Sequence, residues 1–197
     1  MTDETTETLY LLGEESRIVG ISALSVRPPE ARAEKPRVCS FTTADTESII
    51  ALAPDLVLGF SDLQAEIAAD LARRGIEVHV FNHRSVVGIL RMIRVLGGMI
   101  GCSEKAAALV ERLAAGLREI EEDARHFARR PRVFFEEWND PLIAGIGWVS
   151  ELIAIAGGDD CFADLAREPL AKDRIIADGG PTSSSAPGAA RSSGPRR

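Results

Sequence analysis

Short apolar runs rich in β-forming residues recur about every twenty residues in the first half of the chain. They lie at residues 17–22, 37–41, 56–60 and 77–82. Helical patterns separate the later runs, at residues 45–53 and 62–74. Strands that alternate with helices are typical of βαβ units. The pattern therefore predicts an α/β fold with a parallel sheet and right-handed crossovers.

The helix predicted at residues 62–74 has recognisable start and end signals. Ser61 is followed three residues later by Gln64, which is a capping-box pattern. Gly75 stands just past the end, where a left-handed residue closes many helices. The apolar face of this helix consists of residues at a spacing of four: Leu63, Ile67 and Leu71.

An almost wholly apolar helix is predicted at residues 85–100, and a longer one at residues 103–128. Apolar residues of the longer helix alternate at spacings of four and three, which is a heptad seam. The seam is formed by Ala106, Val110, Leu113, Leu117, Ile120, Ala124 and Phe127. This pattern fits either a coiled-coil or bundle helix, or a rigid bar of roughly 40 Å that lies across two lobes. Arg129, Arg130 and Pro131 predict its end.

A second α/β unit is predicted after the long helix, with a strand at residues 132–138, a helix at residues 148–156 and a further strand at residues 174–177. Residues 179–197 contain only Gly, Pro, Ser, Thr, Ala and Arg. Such a composition cannot bury apolar surface, so we expect this segment to be disordered. The abrupt change favours a shifted reading frame or a cloning artefact over a natural linker.

The predicted division of the chain has four parts. They are an amino-terminal α/β lobe at residues 1–101, a bridging helix at residues 102–130, a partial carboxyl-terminal lobe at residues 131–178 and a non-native tail at residues 179–197.

Composition narrows the functional class. Apolar residues make up 45% of the chain and charged residues 27%, which is typical of a soluble globular protein. The net charge of −7 argues against a nucleic-acid partner, because such binding needs a basic surface. No apolar run is long enough to span a bilayer, and the acidic start of the chain lacks the pattern of a secretory signal. Cys39, Cys102 and Cys161 are widely separated, so neither a disulfide scaffold nor a zinc finger is expected.

Five ordered strings carry a resemblance to a known family. They are Thr6 to Gly13, Arg17 to Ser22, Pro28 to Ala31, Glu47 to Leu58, and Trp148 to Leu152 followed by Ala156 to Gly158. Together with the predicted layout, they resemble the ABC-transporter solute-binding proteins of the cobalamin and ferric-siderophore class. The resemblance implies an α/β fold of two Rossmann-like lobes with parallel sheets, bridged by a single long helix. The second lobe of this chain would be incomplete.

The resemblance also implies a function. Such a protein captures cobalamin or a related corrinoid in the cleft between its lobes, leaves it chemically unchanged and delivers it to a membrane permease. A ferric siderophore or a haem-type chelate is the alternative ligand. We expect a periplasmic or otherwise extracytoplasmic monomer that is not an enzyme and needs no cofactor or metal of its own.

The chain departs from the family's pattern in three places. The family has a signal peptide and a first strand ahead of the helix that resembles Thr6 to Gly13, and its second lobe continues well beyond residue 178. A second permease-facing glutamate would lie just after Asp178, where Gly179 stands. The chain is therefore expected to be truncated at both ends. A non-functional fragment, or a cytoplasmic α/β enzyme or sensor with the same layout, remains an alternative.

The resemblance assigns candidate site residues. Phe41 and Phe60 are predicted at strand ends that face the cleft, and Trp138 ends the matching strand of the second lobe beside Glu136. Flat aromatic faces suit a corrin ring, although each aromatic residue could instead belong to the core. Glu47 matches the acidic residue that pairs with permease arginines. Its alternative role is that of an ordinary first-turn glutamate favoured by the helix dipole.

Three other groups of residues are weaker candidates for a functional site. His79 lies in a strand-like run, so it would not share a helical face with His83 in a zinc pair. Glu136 and Glu137 are adjacent on a strand and would point to opposite faces, which does not suit a glycosidase pair. The Gly-Ile-Gly string at residues 145–147 lacks the third glycine of a nucleotide-binding loop.

Overall fold

Strands that alternate with helices build both of the units into which the chain divides. The computed structural model describes residues 1–139, 142–165 and 183–185. The first unit comprises Met1–His83 and Val87–Leu113, and the second comprises Arg84–Val86 and the chain from Ala114 onward. The fourfold division predicted from the sequence stays a prediction.

The first unit contains four short strands and most of the helices. Its strands are β1 (Ile21–Ser22), β2 (Arg37–Cys39), β3 (Val57–Phe60) and β4 (Val78–Phe81). The helices that begin in or next to it are α1 (Asp3–Leu11), α2 (Pro29–Glu34), α3 (Thr46–Ala51), α4 (Ala65–Arg73), α5 (Val86–Met99) and α6 (Ser103–Ala124). All four predicted strands are present, each shorter than its apolar run. The prediction of an α/β fold is confirmed.

The strands of the first unit form two separate parallel pairs. β1 pairs with β2, and β3 pairs with β4 in register from Val57 beside Val78 to Phe60 beside Phe81. The predicted parallel pairing is confirmed, and β1 and β3 are not hydrogen-bonded to each other.

The end signals of the fourth helix need one correction. Ser61 caps a short 3₁₀ turn by accepting the Leu63 N–H at 3.4 Å, and Gly75 adopts the predicted left-handed conformation with φ of 81°. The predicted capping box is wrong. The Ser61 N–H donates to the Phe81 carbonyl rather than to the Gln64 side chain, and that side chain accepts the Phe60 N–H instead. Because Leu63 lies in the 3₁₀ turn rather than in α4, it is 49% exposed.

The core of the first unit packs helices against the strand pairs. Ile49, Val57 and Leu71 form a buried cluster below β3. α5 and α6 approach closely where Gly97 meets Ala106, since a side chain at Gly97 would overlap the Ala106 Cβ.

α6 is shorter than predicted. It ends at Ala124, and the next three N–H groups bond to carbonyls three residues back, which tightens the last turn. Ala106 and Val110 of the predicted seam are buried, but Ile120 and Phe127 are 49% and 56% exposed. Full burial along the predicted seam is therefore limited to Ala106 and Val110.

The second unit has a mixed sheet around a long central strand. Its elements are β5 (Arg132–Asn139), β6 (Leu142–Ala144), α7 (Gly147–Ile155), β7 (Asp159–Asp160) and β8 (Ser183–Ser185). β6 is antiparallel to β5, whereas β7 and β8 run parallel to it. Its core includes Phe134 and Phe162, whose rings meet edge to face at 5.6 Å.

Part of the predicted tail is structured. Ser183–Ser185, within the segment expected to be disordered, form β8 beside β5, and a backbone ladder needs no apolar side chains. The rest of residues 179–197 and the strand predicted at residues 174–177 lie outside the described residues. Across the described ranges, none of the helices is both long enough and apolar enough to cross a bilayer.

Candidate functional site

The carboxyl ends of β2, β3 and β4 carry a connected group of side chains that we call the strand-end cluster: Phe41, Phe60, Gln64 and His83. Phe41 follows β2 and is half-buried, while Phe60 is the last residue of β3 and is 5% exposed. The His83 ring, two residues after β4, lies 5.0 Å from the Phe60 ring at 47°. In open α/β sheets, ligands bind at this edge.

Gln64 ties the strand-end cluster together. Its side chain is fully buried, and its amide nitrogen donates to the carbonyls of Phe41 at 2.9 Å and Met1 at 3.1 Å. Its amide oxygen accepts the Phe60 N–H at 2.9 Å. One side chain thus fixes the loop after β2 against the end of β3. Sequence reasoning treated Gln64 only as a helix cap, and nothing in its spacing indicated the partners that it has in the fold.

A cavity of about 360 Å³ lies beside the strand-end cluster, lined by β4, the loop that follows it and α5. His79 and His83 face it together with Arg91 and Met92 of α5. His79 also meets the Phe81 ring at 4.4 Å, edge to face. The sequence analysis considered this histidine pair only for zinc. In the described parts of the chain, no group of three or more His, Cys, Asp or Glu side chains is placed to hold a metal ion.

Trp138 and Glu136 lie together on β5 of the second unit. Trp138 is 60% exposed, and Glu136 is half-buried opposite Ala144 of β6. The register shifts between Glu136 and Trp138, so the strict alternation assumed for Glu136 and Glu137 does not hold at this irregularity. The Trp138 ring therefore offers a large aromatic surface to solvent near the carboxyl end of β5.

Glu47 lies apart from the strand-end cluster, in the first turn of α3. Asp45 caps this helix by accepting the Ser48 N–H at 3.0 Å and the Ser48 hydroxyl proton at 2.6 Å, and this hydroxyl contact lowers the pKa of Asp45. The Glu47 side chain is 78% exposed and forms an ion pair with Arg74, whose pKa it raises. Exposed pairs of this kind stabilise folds little, so the carboxylate can exchange partners readily.

The glycines at residues 145–147 serve packing. They lie between β6, a strand that was not predicted from the sequence, and the first turn of α7. A side chain at Gly145 would come within 2.8 Å of Val149, and one at Gly147 within 2.7 Å of the Arg84 carbonyl. Neither position therefore has room for a side chain.

The structure places four of the predicted site residues in two pairs. The Phe41 carbonyl and the Phe60 N–H bond to the same Gln64 amide, while Glu136 and Trp138 share β5. Roles in ligand binding for these four residues, and a docking role for Glu47, stay predictions.

Several known proteins are similar to this chain in sequence. An ABC transporter substrate-binding lipoprotein of Bacillus subtilis, YvrC, described as uncharacterized, is 27% identical over 168 residues, covering 81% of this chain and 53% of the relative. A vitamin B12-binding protein of Yersinia pseudotuberculosis is 27% identical over 183 residues, covering 89% of this chain and 64% of the relative. The chain therefore spans between about half and two thirds of the length of these relatives.

Solved structures agree with the fold. The match to the periplasmic heme-binding protein RhuT of Roseiflexus sp. RS-1, in its apo form, covers 91% of this chain and 72% of the RhuT chain, with a TM-score of 0.81 at 23% identity. The match to the periplasmic vitamin B12-binding protein BtuF of Vibrio cholerae covers 94% of this chain and 74% of the BtuF chain, with a TM-score of 0.79 at 21% identity. Residues 1–182 match the family model described as periplasmic binding protein, so this chain belongs to the periplasmic binding protein family.

Proposed function

We propose that this chain is the ligand-holding part of an ABC-transporter solute-binding protein whose ligand is cobalamin or a related corrinoid. The observation that carries the proposal is family membership over residues 1–182, together with relatives described as vitamin B12-binding proteins. Members of this family bind solutes rather than transform them, so we infer that the chain is not an enzyme and needs no cofactor. It works as a monomer that hands its ligand to a membrane permease.

The aromatic residues suit a corrinoid. Trp138 exposes a large ring near the end of β5, and such a surface can stack on a flat macrocycle at a low entropic cost. Phe41, half-buried at the end of β2, supplies a second aromatic surface whose backbone is fixed by Gln64. Phe60 is buried, so its part is to support the His83 ring behind the binding surface. Glu136 supplies a carboxylate that can accept hydrogen bonds from amide groups at the corrin periphery.

The permease is the second partner. Glu47 is exposed on α3 and already pairs with an arginine of its own chain, Arg74. A permease arginine can replace Arg74 and make the same charge-assisted contact. The relatives include a substrate-binding lipoprotein, which supports an extracytoplasmic location for this chain.

A haem-type chelate is the second candidate ligand, favoured by the cavity beside β4. His79, His83 and Met92 line it, and imidazole and thioether groups are common axial ligands of haem iron. Arg91, on the same wall, could pair with a propionate. This candidate predicts a Soret band that shifts when His83 is replaced, whereas corrinoid binding would depend mainly on Trp138 and Phe41.

Equilibrium dialysis of the purified chain against cyanocobalamin, followed by absorbance, tests the site. We expect Trp138→Ala to raise the Kd about tenfold, as loss of one aromatic contact does at many binding sites. Phe127→Ala is the matched control, because Phe127 is similarly exposed in the second unit and lies in the turn after α6 rather than at a strand end. Equal effects of the two substitutions, or none from Trp138→Ala, would contradict the assignment.

A further inference from the structure

The cavity beside β4 is formed mainly by one strand and one helix, and all of its lining residues belong to the first unit. On the strand side, His79 and Phe81 point to the same face of β4, as alternate residues of a strand do, and their rings meet edge to face at 4.4 Å. On the helix side, the lining residues follow a spacing of three and four, which places them on one face of α5. They are Gly88, Arg91, Met92 and Val95.

The groups in this cavity that can carry a charge are all basic. Arg91 supplies a guanidinium, and His79 and His83 supply two imidazoles. None of the described residues that line the cavity is Asp or Glu, although the chain as a whole has a net charge of −7. A concave surface that carries one sign of charge attracts ligands of the opposite sign, so this lining favours an anion.

Arg91 has no acidic partner within the part of the chain that the structure describes. No side chain there forms an ion pair or a hydrogen bond with its guanidinium. Arg94, three residues further along α5, by contrast donates to Glu111 of α6 at 2.9 Å. The Arg91 guanidinium can therefore bind a carboxylate through two parallel hydrogen bonds without first breaking an existing pair.

The remaining walls of the cavity are largely apolar, and the volume limits the ligand to a small one. Phe81 is 7% exposed and Met92 is 3% exposed, and Val80 and Val95 lie beside them. The volume of about 360 Å³ is near the lower end of the range for small-molecule sites, roughly 300–1,000 Å³. An aromatic ring suits such walls, because it can contact the Met92 thioether and the Phe81 ring favourably.

We propose that this cavity is a second binding site, separate from that of the transported solute, and that it takes a small aromatic carboxylate. The carboxylate pairs with Arg91 and accepts a hydrogen bond from the His79 imidazole, while the ring of the ligand lies against Phe81 and Met92. This inference does not rest on corrinoid binding, since none of these four residues is assigned to the corrinoid. The haem-type candidate would use the same cavity, and the test separates the two ligands.

Binding of 2-naphthoate to the full chain tests the proposal, with its neutral analogue 2-naphthalenemethanol measured in parallel. Both titrations are followed by NMR, through the methyl signal of Met92 and the imidazole signals of His79. We expect a Kd of about 0.1 mM for 2-naphthoate and binding of the alcohol that is weaker by at least about tenfold. Both are expected whether or not cyanocobalamin binds to the chain.

Two arginine variants locate the contact. Arg91→Gln should raise the Kd of 2-naphthoate about tenfold and remove the preference for the acid over the alcohol. The fold should tolerate this change, because Arg91 is exposed. Arg94→Gln is the matched control on the same helix, and it should leave the Kd within about twofold, since the exposed pair with Glu111 contributes little to stability.

Three outcomes would overturn the proposal. Equal binding of the acid and the alcohol would mean that the apolar walls alone hold them. Equal effects of Arg91→Gln and Arg94→Gln would mean that the overall charge of the helix, rather than a guanidinium in the cavity, is responsible. Displacement of 2-naphthoate by one equivalent of haemin would assign the cavity to the haem-type ligand instead of to a separate site.

Discussion

Gln64 is a single side chain on which the strand-end cluster depends. It is fully buried and makes three hydrogen bonds to the backbone of Met1, Phe41 and Phe60. Gln64→Ala would leave these groups unpaired and open a cavity. We expect a loss of about 2–4 kcal/mol in the free energy of unfolding. Urea unfolding followed by circular dichroism measures it.

Glu66→Ala is the control for Gln64→Ala. Glu66 lies two residues further along, is exposed and belongs to the first turn of α4, so its removal should leave the urea midpoint almost unchanged. Comparable midpoint shifts for the two variants would mean that the Gln64 bonds contribute little to stability.

Glu47 can be tested separately from ligand binding. Glu47→Gln removes a charge on an exposed helix turn while keeping the side chain's shape. We expect permease-dependent uptake to fall several-fold and the ligand Kd to stay the same, because Glu47, the proposed docking residue, lies apart from the strand-end cluster. Glu66→Gln serves as the control, as another exposed first-turn glutamate of the same unit. An increase in the ligand Kd with Glu47→Gln would count against a docking role.

At the scale of elements, the close contact between α5 and α6 gives a matched pair of substitutions. A side chain at Gly97 would overlap the Ala106 Cβ, whereas one at Gly98 would make only an ordinary contact with the Ser103 hydroxyl, at 4.0 Å. Gly97→Ala should therefore lower the free energy of unfolding by about 1–3 kcal/mol through overpacking. Gly98→Ala should raise it by roughly 0.5 kcal/mol through helix propensity. Thermal unfolding distinguishes them, and shifts of the same sign would refute this description of the contact.

Local patterns in the sequence predicted the elements better than their pairing. A short apolar run located β3, and period-four spacing located α4, each within a few residues. The pattern missed β6 because three residues are too few to show alternation. It also overextended α6, since a heptad seam does not say which part of it finds a core.

The candidate site was only partly visible in the sequence. Phe41, Phe60 and Trp138 could be placed at strand ends because strands stop where polar turn residues begin. The roles of Gln64 and His83 were not visible. Both depend on contacts between segments at the ends of β2, β3 and β4, which are distant in sequence and meet only in the fold.

At the scale of the whole molecule, the two units contribute different chemistry. The first holds the strand-end cluster and the exposed Glu47, and the second holds Trp138 and Glu136 on one long strand. The residues assigned from the family resemblance therefore fall in both units.

The most direct test of the account is isothermal titration calorimetry of the purified chain with cyanocobalamin, with haemin titrated in parallel. We predict saturable binding of one cyanocobalamin per chain with a Kd of about 1 µM or tighter, which corresponds to roughly −8 kcal/mol, and recovery of the ligand unchanged. Tighter binding of haemin would move the assignment to the second candidate ligand. Absence of binding of both compounds at about 100 µM would contradict the proposal that this chain holds a metal-chelate solute.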